Sequence, residues 1–317
     1  MSDNRLAGGI EAARKRLVRT APVLRGSSVP EGPYRPGEHG RIVEDRAFEG
    51  RRIDRYWLNP PFSYAVIVDN EAENQKFYHV VEPTLDRFER DLIETLYDDV
   101  RVPLLYADRE GTPEEVLRTE LRRRLERYGV DIDAPGFYRL YYYLYREFQG
   151  FGKLDPLMYD PYIEDISCDG YGIPLYAYHE DHQDLETNVS FEEDELDSYV
   201  VRMAQQAGRH ISVGSPIVET TLSDGSRAEL ALGEEVTPHG SAFTVRKYSD
   251  EPFTPIDLLE FGTYSLEQMA YLWMAIEHNK NIVFAGGTAS GKTTSLNAIS
   301  MFIPPRSKLI TIEDTRE

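Results

Sequence analysis

Cysteine and long apolar runs are both scarce in this sequence. One cysteine, Cys168, occurs among 317 residues, and a single thiol forms neither an intrachain disulfide nor a cysteine-based zinc site. Cys168 is therefore predicted to be a small core residue. No run approaches the ~20 apolar residues that cross a bilayer, and residues 1–20 lack the apolar core of a secretory signal. The sequence predicts a cytoplasmic protein without thiol redox chemistry.

Lysine is also rare, with seven lysines against 28 arginines, and the net charge is -20. Such an acidic balance disfavours direct binding to nucleic-acid phosphates, which requires clustered lysine and arginine. It also favours a halophilic source, because at molar salt the Debye length falls to ~3 Å and screens the repulsion between carboxylates. A simply soluble acidic surface would have the same composition, so both interpretations stay open.

The length of the chain predicts a multidomain protein, because 317 residues exceed one domain of ~100–200 residues. Residues 1–50 alternate basic, Gly/Pro-rich and acidic patches without periodicity, which predicts a largely disordered tail. Residues 51–149 are expected to form a helical domain with a leading hairpin made of SYAVIVDN and QKFYHVVEP. Its helices are predicted at Leu85–Tyr97, Pro113–Tyr128 and Pro135–Phe148.

Two local patterns refine these helices. Thr112 and Glu115 match a capping box at the start of the second helix. The YYYLYREF run in the third helix is more typical of a core or an interdomain surface than of a ligand site.

Residues 150–252 are predicted to form an α+β sandwich around a helix at Glu195–Ala207. Its strands are expected in IEDISCDG, PLYAYHE, TNVSF, PIVETTL, SRAELAL and SAFTVRKY. The segment SDEPFTPIDLLEFGTY contains Pro and Gly and predicts a linker to a third domain at 253–317. The expected fold class is thus a multidomain combination of α/β and α+β.

A phosphate-binding loop is the main chemical signal. After a helix that begins with a Ser265–Gln268 capping box, NIVFA at 281–285 is predicted to be a buried parallel strand, and GGTASGKT at 286–293 leads into a helix. Backbone N–H groups of such a loop and the positive end of the helix dipole bind phosphate. Lys292 is expected to contact the β- and γ-phosphates of ATP, and Thr293 to bind Mg²⁺. The predicted nucleotide-binding residues are Gly286, Gly287, Thr288, Ala289, Ser290, Gly291, Lys292, Thr293 and Thr294.

Two carboxylates follow a second predicted strand, KLITI at 308–312. Ligands of open parallel sheets bind beyond the carboxyl ends of the strands, so Glu313 and Asp314 are expected near the γ-phosphate and its attacking water. One could orient or deprotonate water while the other supports Mg²⁺. A helix cap and a surface acid are the alternative interpretation.

The motifs together resemble those of a known family. GGTASGKTT followed by LITIEDTRE resembles the Walker A motif and Asp box of the type II/IV secretion ATPase superfamily. Upstream, GFGKLDPLMYDPYIEDISCDG, SPIVETTLSDGSRAEL and HGSAFTVRKYSDEPFTPIDLL resemble its archaeal branch, which includes the archaellum motor and the type IV pilus assembly ATPases. The resemblance covers residues 55–317.

This resemblance implies a homo-hexameric ring with a PAS-like domain at 150–252 and the first part of a RecA-like domain at 253–317. Arg227 and Arg246, with Arg209 as a weaker candidate, match arginines that approach the ATP phosphates in the family. Glu313 matches the Asp-box glutamate, for which a water-activating role is the usual proposal. Asp314 is then the candidate to support Mg²⁺.

The resemblance also implies a partner and a place in the cell. A membrane platform protein would receive the ring motions, so the motor would associate peripherally with the inner face of the cell membrane. Two alternatives stay open: a regulatory ATP-binding subunit that does not hydrolyse, and a conjugation-type DNA-transfer ATPase. The family's Walker B and His-box segments do not occur before Glu317, and we expect the isolated chain to be inactive without them.

Overall fold

The structure is a computed structural model. It describes residues 30, 32–70, 75–105, 111–248, 253–287 and 290–312, with the backbone alone described at 98 and at 101–105. The predicted tail residues 1–29 and 31 lie outside these ranges. The chain divides into two units, the first ending at Lys247 and the second beginning at Tyr248. Within the described ranges, no helix is long and apolar enough to cross a membrane.

A nine-stranded sheet forms the frame of the first unit, in the order β1-β2-β3-β6-β5-β4-β9-β8-β7. Its strands are β1 (Arg51–Asn59), β2 (Ser63–Asn70), β3 (Gln75–Val81), β4 (Ile163–Cys168), β5 (Tyr176–His179), β6 (Gln183–Thr187), β7 (Ile217–Thr221), β8 (Arg227–Ala231) and β9 (Ala242–Arg246). Neighbouring strands are antiparallel except β3 and β6, which are parallel.

The parallel pairing of β3 with β6 joins two segments that were predicted to belong to separate domains. The hairpin of β2 and β3 forms as predicted, but β3 also pairs with β6 through Phe77 opposite Glu186. The outer edge of a hairpin carries unpaired backbone groups, and this pairing satisfies them. One sheet therefore crosses the boundary predicted between 149 and 150, and the expected separate sandwich is a single continuous sheet.

One strand was missed in the sequence and another was misplaced. We missed β1 because its residues are mostly exposed and show no apolar alternation. We placed a strand at TNVSF, but β6 ends at Thr187. The Asn188 N–H still donates to the Tyr78 carbonyl at 3.3 Å, and the Asn188 side chain then accepts the N–H of Val80 at 2.8 Å and donates to its carbonyl at 3.0 Å. A side chain that bonds the neighbouring backbone in this way ends the strand.

Six helices accompany the sheet in the described part of the first unit. They are α1 (Pro36–His39), α2 (Arg87–Leu105), α3 (Pro113–Tyr128), α4 (Ala134–Phe148), α5 (Asp155–Tyr159) and α6 (Glu193–Gln206), and a 3₁₀ turn spans Gly152–Leu154. The predicted bounds of α3 and its Thr112–Glu115 capping box are confirmed. The aromatic run of α4 belongs to a core, with Tyr142 and Leu144 both buried.

The helices cover opposite faces of the sheet in its two halves. Helices α2, α3 and α4 bury one face of β2 and β3, including Val66 and Val81. Helix α6 belongs to the core on the other face, with Ile166 of β4 and Leu230 of β8. Strand β2 contributes to both cores, which explains its unbroken apolar sequence. Cys168 is buried in the second of these cores, as predicted.

Part of the predicted disordered tail is packed. Ile42 and Val43 are each 4% exposed and belong to the helical core. The ring of Tyr34 lies 5.3 Å from that of Tyr138, and the Tyr138 hydroxyl donates to the Gly32 carbonyl at 2.8 Å. The prediction for residues 1–50 is therefore wrong for this stretch, because a few apolar residues spaced along a polar segment suffice to anchor it.

A buried polar cluster, which we call the Asp160 cluster, joins the hairpin to the rest of the sheet. The hydroxyls of Tyr56 and Tyr78 both donate to Asp160 Oδ2 at 2.6 Å. His179 Nδ1 accepts the Asp181 N–H at 3.1 Å, so its proton lies on Nε2, 3.1 Å from the Tyr56 oxygen. Burial lowers the pKa of His179 and keeps it neutral.

Asp155 gives this unit a testable pH dependence. It is 2% exposed, and burial raises its pKa to about 6 despite a hydrogen bond from the Phe151 N–H. An unfolded aspartate titrates near ~3.9, so the contribution of Asp155 to stability is complete below about pH 4 and is lost as pH rises through about 6.

Asp155→Asn should therefore stabilise the protein at pH 8. The free energy of unfolding should rise by roughly 1–3 kcal/mol, and the melting temperature should rise with it. The difference from wild type should vanish below about pH 4. Thermal unfolding of the variant and of wild type between about pH 4 and pH 8 measures this difference. Asp194→Asn is the control, because Asp194 also lies in the first turn of a helix but is exposed. A stabilisation equal at every pH would contradict the assignment to ionisation.

The second unit contains three described helices: α7 (Pro255–Glu260), α8 (Leu266–Glu277) and α9 (Lys292–Ser300). The predicted Ser265–Gln268 capping box is present at α8. The strands expected at 281–285 and 308–312 are absent from these described residues, and Val283 and Ile312 are 87% and 94% exposed. A strand requires a ladder partner, and neither segment pairs with another described segment.

Candidate nucleotide site

The candidate loop begins with two glycines and ends at the start of α9. Gly291 has φ 78° and is the N-cap of the helix, a left-handed conformation that other residues adopt only with strain. At Gly286, an added Cβ would overlap Ser290 Oγ and lie 3.6 Å from Lys292 Cγ. Glycine at these two positions therefore permits the turn and the close approach of the loop to the helix.

Lys292 is the first residue of α9, and its side chain returns to the loop. Its ammonium donates to the Gly287 carbonyl, and the Ser290 hydroxyl donates to the same oxygen at 2.8 Å. Thr293 is exposed and Thr294 half-buried on the first turn. The first N–H groups of a helix have no partner within it and favour an anion. A lysine, a hydroxyl and these amides form a donor set that fits nucleotide phosphates.

Seven of the nine predicted nucleotide-binding residues lie in the described part of the loop and the first turn of α9: Gly286, Gly287, Ser290, Gly291, Lys292, Thr293 and Thr294. Thr288, Ala289, Glu313 and Asp314 lie outside the described residues, so their roles stay predictions. The glycine-rich turn, the lysine and the helix N-terminus that follows are the features of the class of P-loop nucleotide-binding proteins.

The two predicted arginines occupy neighbouring strands of the first unit. Arg227 of β8 is directly opposite Arg246 of β9, although 19 positions separate them in the sequence. Directly opposed residues point to the same face of a sheet. That face is the one opposite the buried Ala228 and Val245. Arg209 lies after the end of α6 and in no strand.

Sequence analysis missed a third residue of this row. Asp165 of β4 is opposite Arg246 on its other side, and Arg246 Nε donates to Asp165 Oδ1 at 3.0 Å. The IEDISC segment shows Asp165 at an outward position, but which strand lies beside β4 is decided by the fold of the whole sheet. Sequence pattern alone therefore gave no signal for this pair.

Comparisons with known proteins agree with this class. Residues 11–84 match the family described as PilB3-like, N-terminal, and residues 177–317 match the family described as type II/IV secretion system protein. Protein MJ0900 of Methanocaldococcus jannaschii is 36% identical over 271 residues, covering 77% of this chain and 48% of that protein. The type IV secretion system protein PtlH of Bordetella pertussis is 29% identical over 144 residues, covering 39% of this chain and 42% of PtlH.

The chain belongs to the type II/IV secretion system ATPase family. It spans about half of the length of the curated relatives described above. A crystal structure of the VirB11 ATPase from the Brucella suis type IV secretion system, in complex with sulphate, matches 52% of this chain and 55% of that chain at 24% identity. Its TM-score is 0.30, so the family assignment comes from the sequence comparisons.

Proposed function

We propose that this chain is the nucleotide-binding part of an ATP-hydrolysing hexameric motor. The motor would power assembly of an archaeal type IV pilus-like filament, an archaellum or a type II/IV secretion system. The observation that carries the proposal is the position of Lys292, which begins α9 and returns its ammonium to the glycine loop. Family membership supports ATP as the nucleotide.

In the proposed reaction, the loop holds the phosphates while other residues act on the attacking water. When a nucleotide binds, the Lys292 ammonium leaves the Gly287 carbonyl and contacts β- and γ-phosphate oxygens. Backbone N–H groups of the loop donate to the same phosphates. Thr293 and Asp314 would hold Mg²⁺, which neutralises developing phosphate charge when it is bound. Glu313 orients or deprotonates the water.

Arg227 and Arg246 supply guanidinium groups to the phosphates. Their adjacency across β8 and β9 supports a shared role, because it places both guanidinium groups on one face of the sheet. A guanidinium cannot lose its charge and can bind two phosphate oxygens at once. We assign both residues to stabilisation of the charge that develops during hydrolysis.

The proposed partner is a membrane platform protein at the inner face of the cell membrane, which receives the motion of the ring. Two other functions compete with this one: a regulatory ATP-binding subunit without hydrolysis, and a conjugation-type DNA-transfer ATPase. The acidic composition disfavours direct DNA binding. The presence of Glu313 together with Lys292 favours hydrolysis over a purely regulatory role.

ATP turnover by the full-length protein separates these functions. We expect turnover that increases when the platform protein is added in detergent or vesicles and that does not change with single- or double-stranded DNA. Empty vesicles are the control. Stimulation by DNA alone would favour the DNA-transfer function, and nucleotide binding without turnover under every condition would favour the regulatory subunit.

A further inference from the structure

Three charged residues lie opposite one another in a row that crosses three neighbouring strands of the sheet. Arg246 of β9 lies between Arg227 of β8 and Asp165 of β4, each directly opposite it in the strand register. Like charges directly opposite one another destabilise a sheet, whereas opposite charges stabilise it. The Arg227–Arg246 neighbour pair therefore has a cost in stability, of which the exposed Asp165–Arg246 ion pair offsets only a small part.

The geometry of the ion pair is specific. Asp165 Oδ1 accepts the hydrogen bond from Arg246 Nε at 3.0 Å. Nε is the inner nitrogen of the guanidinium, so this contact fixes the direction of the group through its inner edge. The two terminal nitrogens, which form the outer fork of donors, take no part in the pair. That fork is the part of arginine that binds phosphate oxygens in a bidentate manner.

We propose that Asp165 is a positioning residue for Arg246. It holds the guanidinium by Nε and thereby leaves the two terminal nitrogens available to bind a nucleotide phosphate. The inference rests on the proposed function, in which Arg246 contacts the phosphates of ATP, and adds a residue to it. A carboxylate that orients a charged ligand-binding group from behind reduces the reorganisation needed when the phosphate arrives.

If the pair had a purely structural role, loss of the Asp165 carboxylate would lower the melting temperature and leave the turnover of the folded protein unchanged. The Arg246 side chain is 70% exposed and that of Asp165 33%. Exposed ion pairs of this kind contribute little to folding stability, so loss of the Asp165 carboxylate should leave the melting temperature nearly unchanged. An effect on turnover without an effect on melting would therefore identify positioning.

The test uses the full-length protein and measures kcat, KM for ATP and melting temperature. Asp165→Ala should lower kcat about 10-fold, within the ~10²-fold that a misplacement of about 1 Å can cost, with a smaller change in KM. Asp165→Asn should lie between Asp165→Ala and wild type, because its amide oxygen still accepts from Nε without the charge. Asp184→Ala is the matched control, since Asp184 belongs to the same row through Tyr178 and is exposed. It should keep wild-type kcat.

A double-mutant cycle with Arg246 completes the test. In an Arg246→Ala background, Asp165→Ala should cause no further loss, because the group that it positions is gone. An equal loss in both backgrounds, or a kcat of Asp165→Ala equal to that of Asp184→Ala, overturns the inference. If Lys292→Ala and Arg246→Ala lose turnover while Asp165→Ala does not, the proposed function stands and only the role of Asp165 is wrong. Wild-type turnover in Lys292→Ala would overturn both.

Discussion

Lys292→Ala in the full-length protein should abolish ATP hydrolysis. Lys292 supplies the point charge that the P-loop motif provides for the β- and γ-phosphates, and its ammonium already lies against the loop at Gly287. Alanine keeps the helical propensity of the first turn of α9. The loss should therefore arise from missing charge and not from an unfolded helix.

Steady-state ATPase assays measure this loss, and a melting curve with fluorescent-nucleotide binding shows whether the fold and the site remain. Lys280→Ala is the control, because Lys280 is an exposed lysine of the same unit outside the loop. Turnover at the wild-type rate in Lys292→Ala would contradict the assignment of residues 286–293 as a P-loop. A large loss in Lys280→Ala as well would point instead to a general effect of removing positive charge.

Local sequence rules predicted the parts of the fold that depend on neighbouring residues. The capping boxes at Thr112 and Ser265 are present, because each is complete within four residues. The turn into α9 at Gly291 is equally local, since it requires only a left-handed residue before the helix. The hairpin of β2 and β3 also followed from adjacent segments.

Features that depend on distant residues escaped the sequence analysis. The parallel pairing of β3 with β6 joins segments about a hundred residues apart, and no periodicity encodes such a partner. The Asp160 cluster likewise gathers Tyr56, Tyr78 and His179 from three strands. Tyrosine and histidine are intermediate in their burial and aspartate is mostly exposed, so none of these residues, taken alone in the sequence, indicates a buried cluster.

The residues of the candidate site show the same difference between local and distant features. Its glycines and Lys292 were predicted because the motif is contiguous, whereas Asp165 was missed because its partner Arg246 is reached only through strand pairing. Arg227 and Arg246 were predicted from resemblance and not from physical reasoning on their positions. Their adjacency became evident only from the register of β8 and β9.

Glu313→Gln should preserve ATP binding and slow hydrolysis by ~10²-fold or more. Glutamine keeps the shape of the side chain and a hydrogen-bonding oxygen, but it cannot accept a proton from water. If Glu313 orients and activates the attacking water, the loss therefore falls on kcat, while KM and nucleotide affinity change little. The neighbouring carboxylate, Asp314, should differ, because a residue that supports Mg²⁺ affects affinity for the metal.

The comparison of these two carboxylates distinguishes their roles. We expect Asp314→Asn to raise the Mg²⁺ concentration needed for half-maximal turnover, and Glu313→Gln to leave that concentration unchanged. Glu277→Gln is the control for loss of an acid in the same unit, because Glu277 ends α8 and is exposed. If the affinity of Glu313→Gln for ATP collapses while turnover per bound nucleotide stays at the wild-type rate, Glu313 holds the metal or the fold. The water-activating role would then belong to another residue, because a general base cannot be neutralised without slowing the chemical step.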